Sequence, residues 1–363
     1  MRAIAKPHSS SRLRTNAESA SASKLRFDYQ IAIVCLWPMI GLYIDGWAHN
    51  AKKAESFFTP WHAVFYSGLL AVAVVLGTAT LRNKAAGHDW RHSIPDNYLI
   101  SFIGVVIFAI SGFSDLIWHE VLGIEAGVEA LLSPTHLGLA FGGAFIVCGP
   151  ILAVNARAKA GSLTWAEGVP IILCLAFLLS NLTFWTQFGH PLVRPLATPA
   201  YLYKGPGLVD PVERENFIQA LGVASILLQA SIFGGFVLFA QSRWRLPLGA
   251  LTVILLINGA LVVTLREHYQ LVIAPVTAGL VGDLLVRYIN PSPQRLLRWL
   301  VFAFAVPAIY FSVYYVVLLT TDDIWWPTRL WVGSIILAGV MGLLLGLLFV
   351  NPVHYSERDQ RVI

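Results

Sequence analysis

Asp45 and His49 stand four residues apart in YIDGWAH, and Asp115 and His119 stand four apart in SDLIWHE. On a helix that spacing puts carboxylate and imidazole on one face. Each pair is followed by a Pro-x-His: TPWH supplies His62 and SPTH supplies His136. Two imidazoles and one carboxylate suit a transition metal with open coordination positions: zinc, copper or non-haem iron. Donor type alone does not choose among them. The metal-free alternative is a pair of Asp–His hydrogen bonds that stitch helices together.

The segments carrying these residues are greasy. The chain has 363 residues, 56% of them hydrophobic and 12% charged, with a mean hydropathy of +0.67. Soluble domains carry about 25% charged residues, so the expected class is an all-α polytopic membrane protein. A net charge of +5 raises the question of a nucleic-acid partner. Its distribution answers no, because the basic residues lie mostly in short loops between apolar runs. Cys35, Cys148 and Cys174 all fall inside apolar runs and form no spaced pair, which reads as small buried hydrophobes.

A spanning helix needs about 20 mainly apolar residues. Ten candidate spans follow, near 29–48, 60–81, 97–118, 134–155, 165–187, 216–240, 246–265, 269–288, 297–320 and 328–350. The span from 269 is interrupted by Pro275 and Asp283. Residues 1–28, polar and basic, read as a disordered cytoplasmic tail rather than a secretory signal; 353–363 reads as a second tail. Between them, 29–157 is the metal-site region and 158–352 the remaining bundle. With the N-terminus inside, 18 of the 25 Lys and Arg residues become cytoplasmic, as the positive-inside rule expects. Both termini are then cytoplasmic, in a bacterial plasma membrane, and both triads lie at the outer face.

The likeness between the triads extends further. FFTPWHAVFYSG (57–68) aligns without a gap to LLSPTHLGLAFG (131–142), pairing Pro60 with Pro134, His62 with His136 and Gly68 with Gly142. The expected architecture is therefore an internal duplication of a helical hairpin. Short connections after His49 and His119 make each pair of spans antiparallel, so each hairpin returns its Pro-x-His to the depth of its Asp and His. Proline in a first helical turn tolerates its missing N–H and pre-sets φ.

Other polar groups fall on the same side. Glu267 and His268 end the seventh span and are the catalytic candidates, His268 as an extra metal ligand or proton relay. His190 lies in the long loop after span five, and Asp322 and Asp323 follow span nine. Glu120, Glu125 and Glu129 lie in the second hairpin's connection, where 121–132 could form a short interfacial helix. Asn258, Gln229 and Asp283 are candidates to line a polar path, with pairing to Arg287 the alternative for Asp283. No phosphate-binding glycine loop, nucleophile elbow or chain of ionisable residues across the bilayer is present.

Asp45, His49 and His62 spell D-x3-H-x12-H. This resembles the intramembrane copper-binding motif of the C subunit of copper membrane monooxygenases, the particulate methane and ammonia monooxygenase family. The second triad reads D-x3-H-x16-H, with an Asp where that family's second site tends to use Asn. The resemblance covers the motif residues and the first four spans. It implies copper at Asp45, His49 and His62, with a further site at Asp115, His119 and His136. It also implies a monooxygenase-like oxidation of a small or lipophilic substrate, an electron donor, and partner membrane subunits or a homo-oligomer. An intramembrane zinc hydrolase, or a protein for copper or zinc uptake or delivery, are the alternatives.

Overall fold

The computed structural model describes residues 8–53, 57–123, 127–157, 163–202 and 210–350, with side chains from Ser21 onward. Its elements are helices: α1 (His8–Val34), α2 (Leu36–Asn50), α3 (Pro60–Ala85), α4 (Leu99–Leu122), α5 (Pro134–Arg157), α6 (Trp165–Trp185), α7 (Pro211–Arg243), α8 (Ala250–Thr264), α9 (Ile273–Ile289), α10 (Leu296–Thr321) and α11 (Thr328–Leu348). Nine helical segments among the described residues are long and apolar enough to cross a membrane. The chain is an all-α polytopic membrane protein, as expected. It divides into two compact units, residues 1–181 and 182–363.

Two expectations are corrected. Helix starts at His8, so residues 8–28, expected as a disordered tail, are helical; residues 1–7 and the expected tail at 353–363 lie outside the described residues. The first membrane segment accordingly runs from Ser21 to Asn50. It is broken only at Cys35, because Pro38 has no N–H to give the Val34 carbonyl. The seventh expected span, 246–265, is the 15-residue α8. At about 1.5 Å per residue it is about 22 Å long, short of a hydrocarbon core of about 30 Å. Gly249, at φ +95°, delays its start, and Glu267, at φ +63°, turns the chain just beyond its end.

In the first unit, α2 packs on α3 and α4 packs on α5. The apolar character of α4 is divided by face. Gly104, Phe108, Gly112, Asp115 and His119 are buried, while Ile103, Val106, Ile110, Phe113, Ile117 and Val121 are exposed. Both sets recur at the three-to-four-residue spacing of a helix. An exposed stripe this apolar is stable only against lipid, so the protein interior takes the polar stripe.

Matched glycines set how closely each hairpin closes. A Cβ on Gly68 would lie 2.5 Å from the backbone N of Pro38, and one on Gly142 would lie 2.8 Å from that of Phe108. Pro38 precedes Asp45 by seven residues and Phe108 precedes Asp115 by seven. The duplication seen in the sequence is therefore a duplication of helix-crossing register. Small residues at such crossings let backbones approach within a membrane.

In the second unit α8 packs on α9, α9 on α10, α10 on α11, and α11 on α7. Pro275 falls in the first turn of α9, where a missing N–H is tolerated. Asp283, expected to line a path or pair with Arg287, is buried and does neither. Its carboxylate accepts from the backbone N–H groups of Leu251 and Thr252 at 3.3 and 2.9 Å and from the Thr252 hydroxyl at 2.5 Å. It caps the amino end of α8 from a neighbouring helix. Asn258 donates to the Thr183 hydroxyl at 2.7 Å, and Gln229 to the Gly189 carbonyl at 3.2 Å. The expected path residues are tethers.

Gly142→Val should force the α4–α5 crossing apart and destabilise the fold by about 1–3 kcal/mol, the usual range for overpacking. Gly77→Ala, where an added Cβ meets nothing within 4 Å, should leave it unchanged. Thermal unfolding in mild detergent reads both. Asp283→Ala, by stripping the α8 cap, should cost about 1–2 kcal/mol in the same assay.

Candidate metal centre

The sequence places Asp45 and His49 in the last turns of α2, and His62 in the first turn of α3. Asp115 and His119 fall in the last two turns of α4, and His136 in the first turn of α5. All six residues therefore sit at the same kind of helix end in two equivalent hairpins. The structure brings each expected triad together. Within each, one potential ligand atom from every residue lies within 4.8 Å of the others.

Each carboxylate is faced by two imidazole Nε2 atoms. Nε2 of His62 is 3.4 Å from Asp45 Oδ1 and Nε2 of His49 is 3.9 Å from Oδ2. Nε2 of His119 and His136 lie 3.6 and 3.1 Å from Asp115 Oδ1. Asp45, His62, Asp115 and His119 are all buried.

A local motif aims the two Pro-x-His rings. Thr59 caps α3 by accepting from the backbone N–H of His62 at 3.3 Å, and its hydroxyl lies 3.2 Å from His62 Nδ1. Ser133 stands in the equivalent place, its hydroxyl 2.9 Å from Nδ1 of His136. The unit is thus [Ser/Thr]-Pro-x-His: the hydroxyl restrains one ring nitrogen, proline starts the helix, and Nε2 is left toward the carboxylate. Such second contacts fix ring orientation at metal sites. This signal was present in the sequence, since TPWH and SPTH both carry the hydroxyl three residues before histidine.

Proton placement sets two imidazoles, His62 and His119, against the carboxylates they face. Nδ1 of His62 lies 2.7 Å from the Phe57 carbonyl, and Nδ1 of His119 lies 3.3 Å from that of Gly123. A carbonyl only accepts, so Nδ1 carries the proton and a neutral ring presents its Nε2 lone pair to the carboxylate. Lone pair then faces negative oxygen in both triads. Asp45 Oδ1 and His119 Nε2 are accordingly buried with no hydrogen-bond partner. A cation between nitrogen and oxygen, proton or metal, removes the conflict. Two imidazoles and a carboxylate fit a borderline transition metal and leave coordination positions open.

The two triads are not equally supported. Asp115 is fully buried and accepts from the Thr135 hydroxyl at 2.9 Å and from the Tyr66 hydroxyl at 3.1 Å. Phe57 stacks on the His62 ring at a centroid distance of 5.2 Å and lies 6.2 Å from that of His119. Sequence reasoning missed Tyr66 and Thr135. Their counterparts in the other hairpin are Ala140 and Trp61, so the duplication that found the candidate ligands concealed them.

The remaining candidates are elsewhere. Glu267 and His268 belong to the second unit and are not among the residues that form the triads. Glu267 is exposed; burial lowers the His268 imidazole's pKa, with Asp322 acting in the opposite sense. Glu120, Glu129, Asp322 and Asp323 are exposed, and Glu125 lies outside the described residues. Among its described residues, the connection expected to form an interfacial helix contains one helical turn after α4, Glu129–Leu132.

His190 is buried and its Nδ1 accepts from the Leu192 backbone N–H at 3.1 Å. Burial pushes its pKa down from 6.5 to about 3. An unfolded chain therefore binds this proton more readily than the folded one. Its contribution to stability is complete above pH 6.5 and is lost as pH falls toward 3. Unfolding temperature should drop across that window, and His190→Gln should flatten the drop.

The family models, the curated proteins and the solved structures with which the chain was compared contain no match to it.

Proposed function

We propose that this protein binds two transition-metal ions per chain, one in each triad, and works as a membrane-embedded copper-dependent oxidoreductase on a small or lipophilic substrate. One observation carries the metal assignment: buried imidazole lone pairs aimed at buried carboxylates, with Asp45 Oδ1 and His119 Nε2 unpartnered. Copper is favoured by its high affinity for imidazole and carboxylate donors and by the resemblance of D-x3-H-x12-H to the copper membrane monooxygenase motif. When bound, copper supplies the one-electron chemistry and the affinity for dioxygen that the protein's own groups lack.

The protein's residues do the rest. Thr59, Ser133 and the Phe57 and Gly123 carbonyls hold the rings in one orientation. Asp45 and Asp115 supply the negative charge that a divalent ion needs. The lipid-facing stripe of α4 lies on the reverse of the helix face that carries Asp115 and His119, which suits a substrate dissolved in the bilayer. Charge bias in the loops supports an outer-face location, with an external electron donor for turnover.

Elemental analysis of protein purified in mild detergent tests the reading. Two copper ions per chain are expected, with Asp45→Ala and Asp115→Ala each lowering the content by one. Dioxygen consumption with a reductant and a short-chain hydrocarbon should fall to background in both variants. One zinc ion per chain with a silent electron paramagnetic resonance spectrum would replace the copper reading with zinc-assisted hydrolysis. Metal uptake lost in cells carrying His62→Ala, without any product change, would favour metal acquisition instead.

A further inference from the structure

The triads come from different hairpins, yet they approach each other closely. The His62 and His119 ring centroids are 6.5 Å apart, and the Phe57 ring contacts both. The bridge between them is Tyr66. It lies one turn after His62, on the same face of α3, with its ring centroid 6.3 Å from that of His62. Its hydroxyl donates to Asp115 Oδ2 in the other hairpin at 3.1 Å.

That reach depends on a gap in α4. A Cβ on Gly112 would lie 2.6 Å from Tyr66 Cε1, so any side chain there would displace the ring. Gly112 precedes Asp115 by three residues and therefore lies under it on the buried face. The ring is seated against α4 with its hydroxyl at the carboxylate. By donating to Oδ2, it turns Oδ1 toward the Nε2 atoms of His119 and His136, 3.6 and 3.1 Å away.

We infer that the two triads form one coupled two-metal centre, and that Tyr66 is the positioning residue that joins them by orienting Asp115 from the first hairpin. This rests on the metal-binding reading above and extends it. Donors from the first hairpin do not ligate the second ion; they fix the ligand that does. Loss of such a second contact typically lowers metal affinity by about 10–100-fold. The coupling also gives the otherwise unmatched Tyr66 and Gly112 a common purpose.

Copper(II) titration of the full chain in detergent, followed by electron paramagnetic resonance, tests this. Wild type is expected to bind two ions, with dipolar broadening or a half-field line from interacting spins. Tyr66→Phe should bind the second ion about 10–100-fold more weakly while the first is held as in wild type. Gly112→Ala keeps the hydroxyl but crowds the ring, so it should reproduce that loss and covers a Tyr66→Phe variant that fails to fold. Thermal unfolding reports the fold of both. Two ions with independent, unbroadened spectra would overturn the coupled centre and leave the metal-binding proposal intact. Wild-type affinity at both steps in either folded variant would overturn the role of Tyr66. A wild-type chain that binds no metal would remove both proposals together.

Discussion

A carboxylate buried among membrane helices is tolerated only when donors or positive charge surround it. Much of the first unit follows from meeting that demand twice. Asp115 is the more completely served, with the Thr135 and Tyr66 hydroxyls donating to it and two imidazoles facing it. Asp45 has two imidazoles but leaves Oδ1 without a hydrogen bond. His62 and His119 present Nε2 lone pairs while their Nδ1 protons are held by backbone carbonyls. A proton or a metal ion between nitrogen and oxygen would relieve that opposition. The opposition, rather than the mere presence of histidines, separates these clusters from ordinary polar helix ends.

The geometry that brings the groups together is made by small residues well away from the site. Gly68 against Pro38 and Gly142 against Phe108 set the same crossing in each hairpin, and the helix ends then arrive at matching depths. With the backbones this close, the first turn of α3 or α5 delivers its histidine beside a carboxylate near the end of the preceding helix. Capping chemistry completes the aim: a hydroxyl one residue before proline satisfies an exposed helix-end donor in α3 and restrains an imidazole in both hairpins. The same few atoms serve folding and ring orientation.

The second unit shows how similar residue types can have a purely architectural use. Asp283, Asn258 and Gln229 are as polar and as buried as the triad residues, yet each hydrogen-bonds in a structural role: Asp283 closes a helix end, Asn258 ties α8 to α6, and the Gln229 amide N–H holds a loop. Asp283 in particular caps α8, whose first N–H groups would otherwise face a medium without donors or acceptors. What distinguishes the triads is convergence: two imidazole Nε2 atoms face one carboxylate in each. Polarity inside the membrane marks a place of consequence in both units, but only the triads gather three potential donor groups within 4.8 Å of one another among the described residues.

Composition, the length of the apolar runs and the Asp-x3-His plus Pro-x-His repeat were enough to read the class of fold, the hairpins and the two donor sets. These are local properties: helical periodicity puts Asp45 beside His49, and a short connection must return His62 to the same depth. Where local patterns failed, the cause was geometric. The span expected over 246–265 was shortened by backbone conformation at Gly249 and Glu267, which hydropathy does not register. Tyr66 and Thr135 escaped notice because they break the repeat, and their partner is a carboxylate 49 and 20 residues away in sequence. Only the packing of one hairpin beside the other, through the gap at Gly112, decided that two triads share a neighbourhood. Sequence spacing fixes which side chains share a helix face; the distance between faces is set by the backbones that meet.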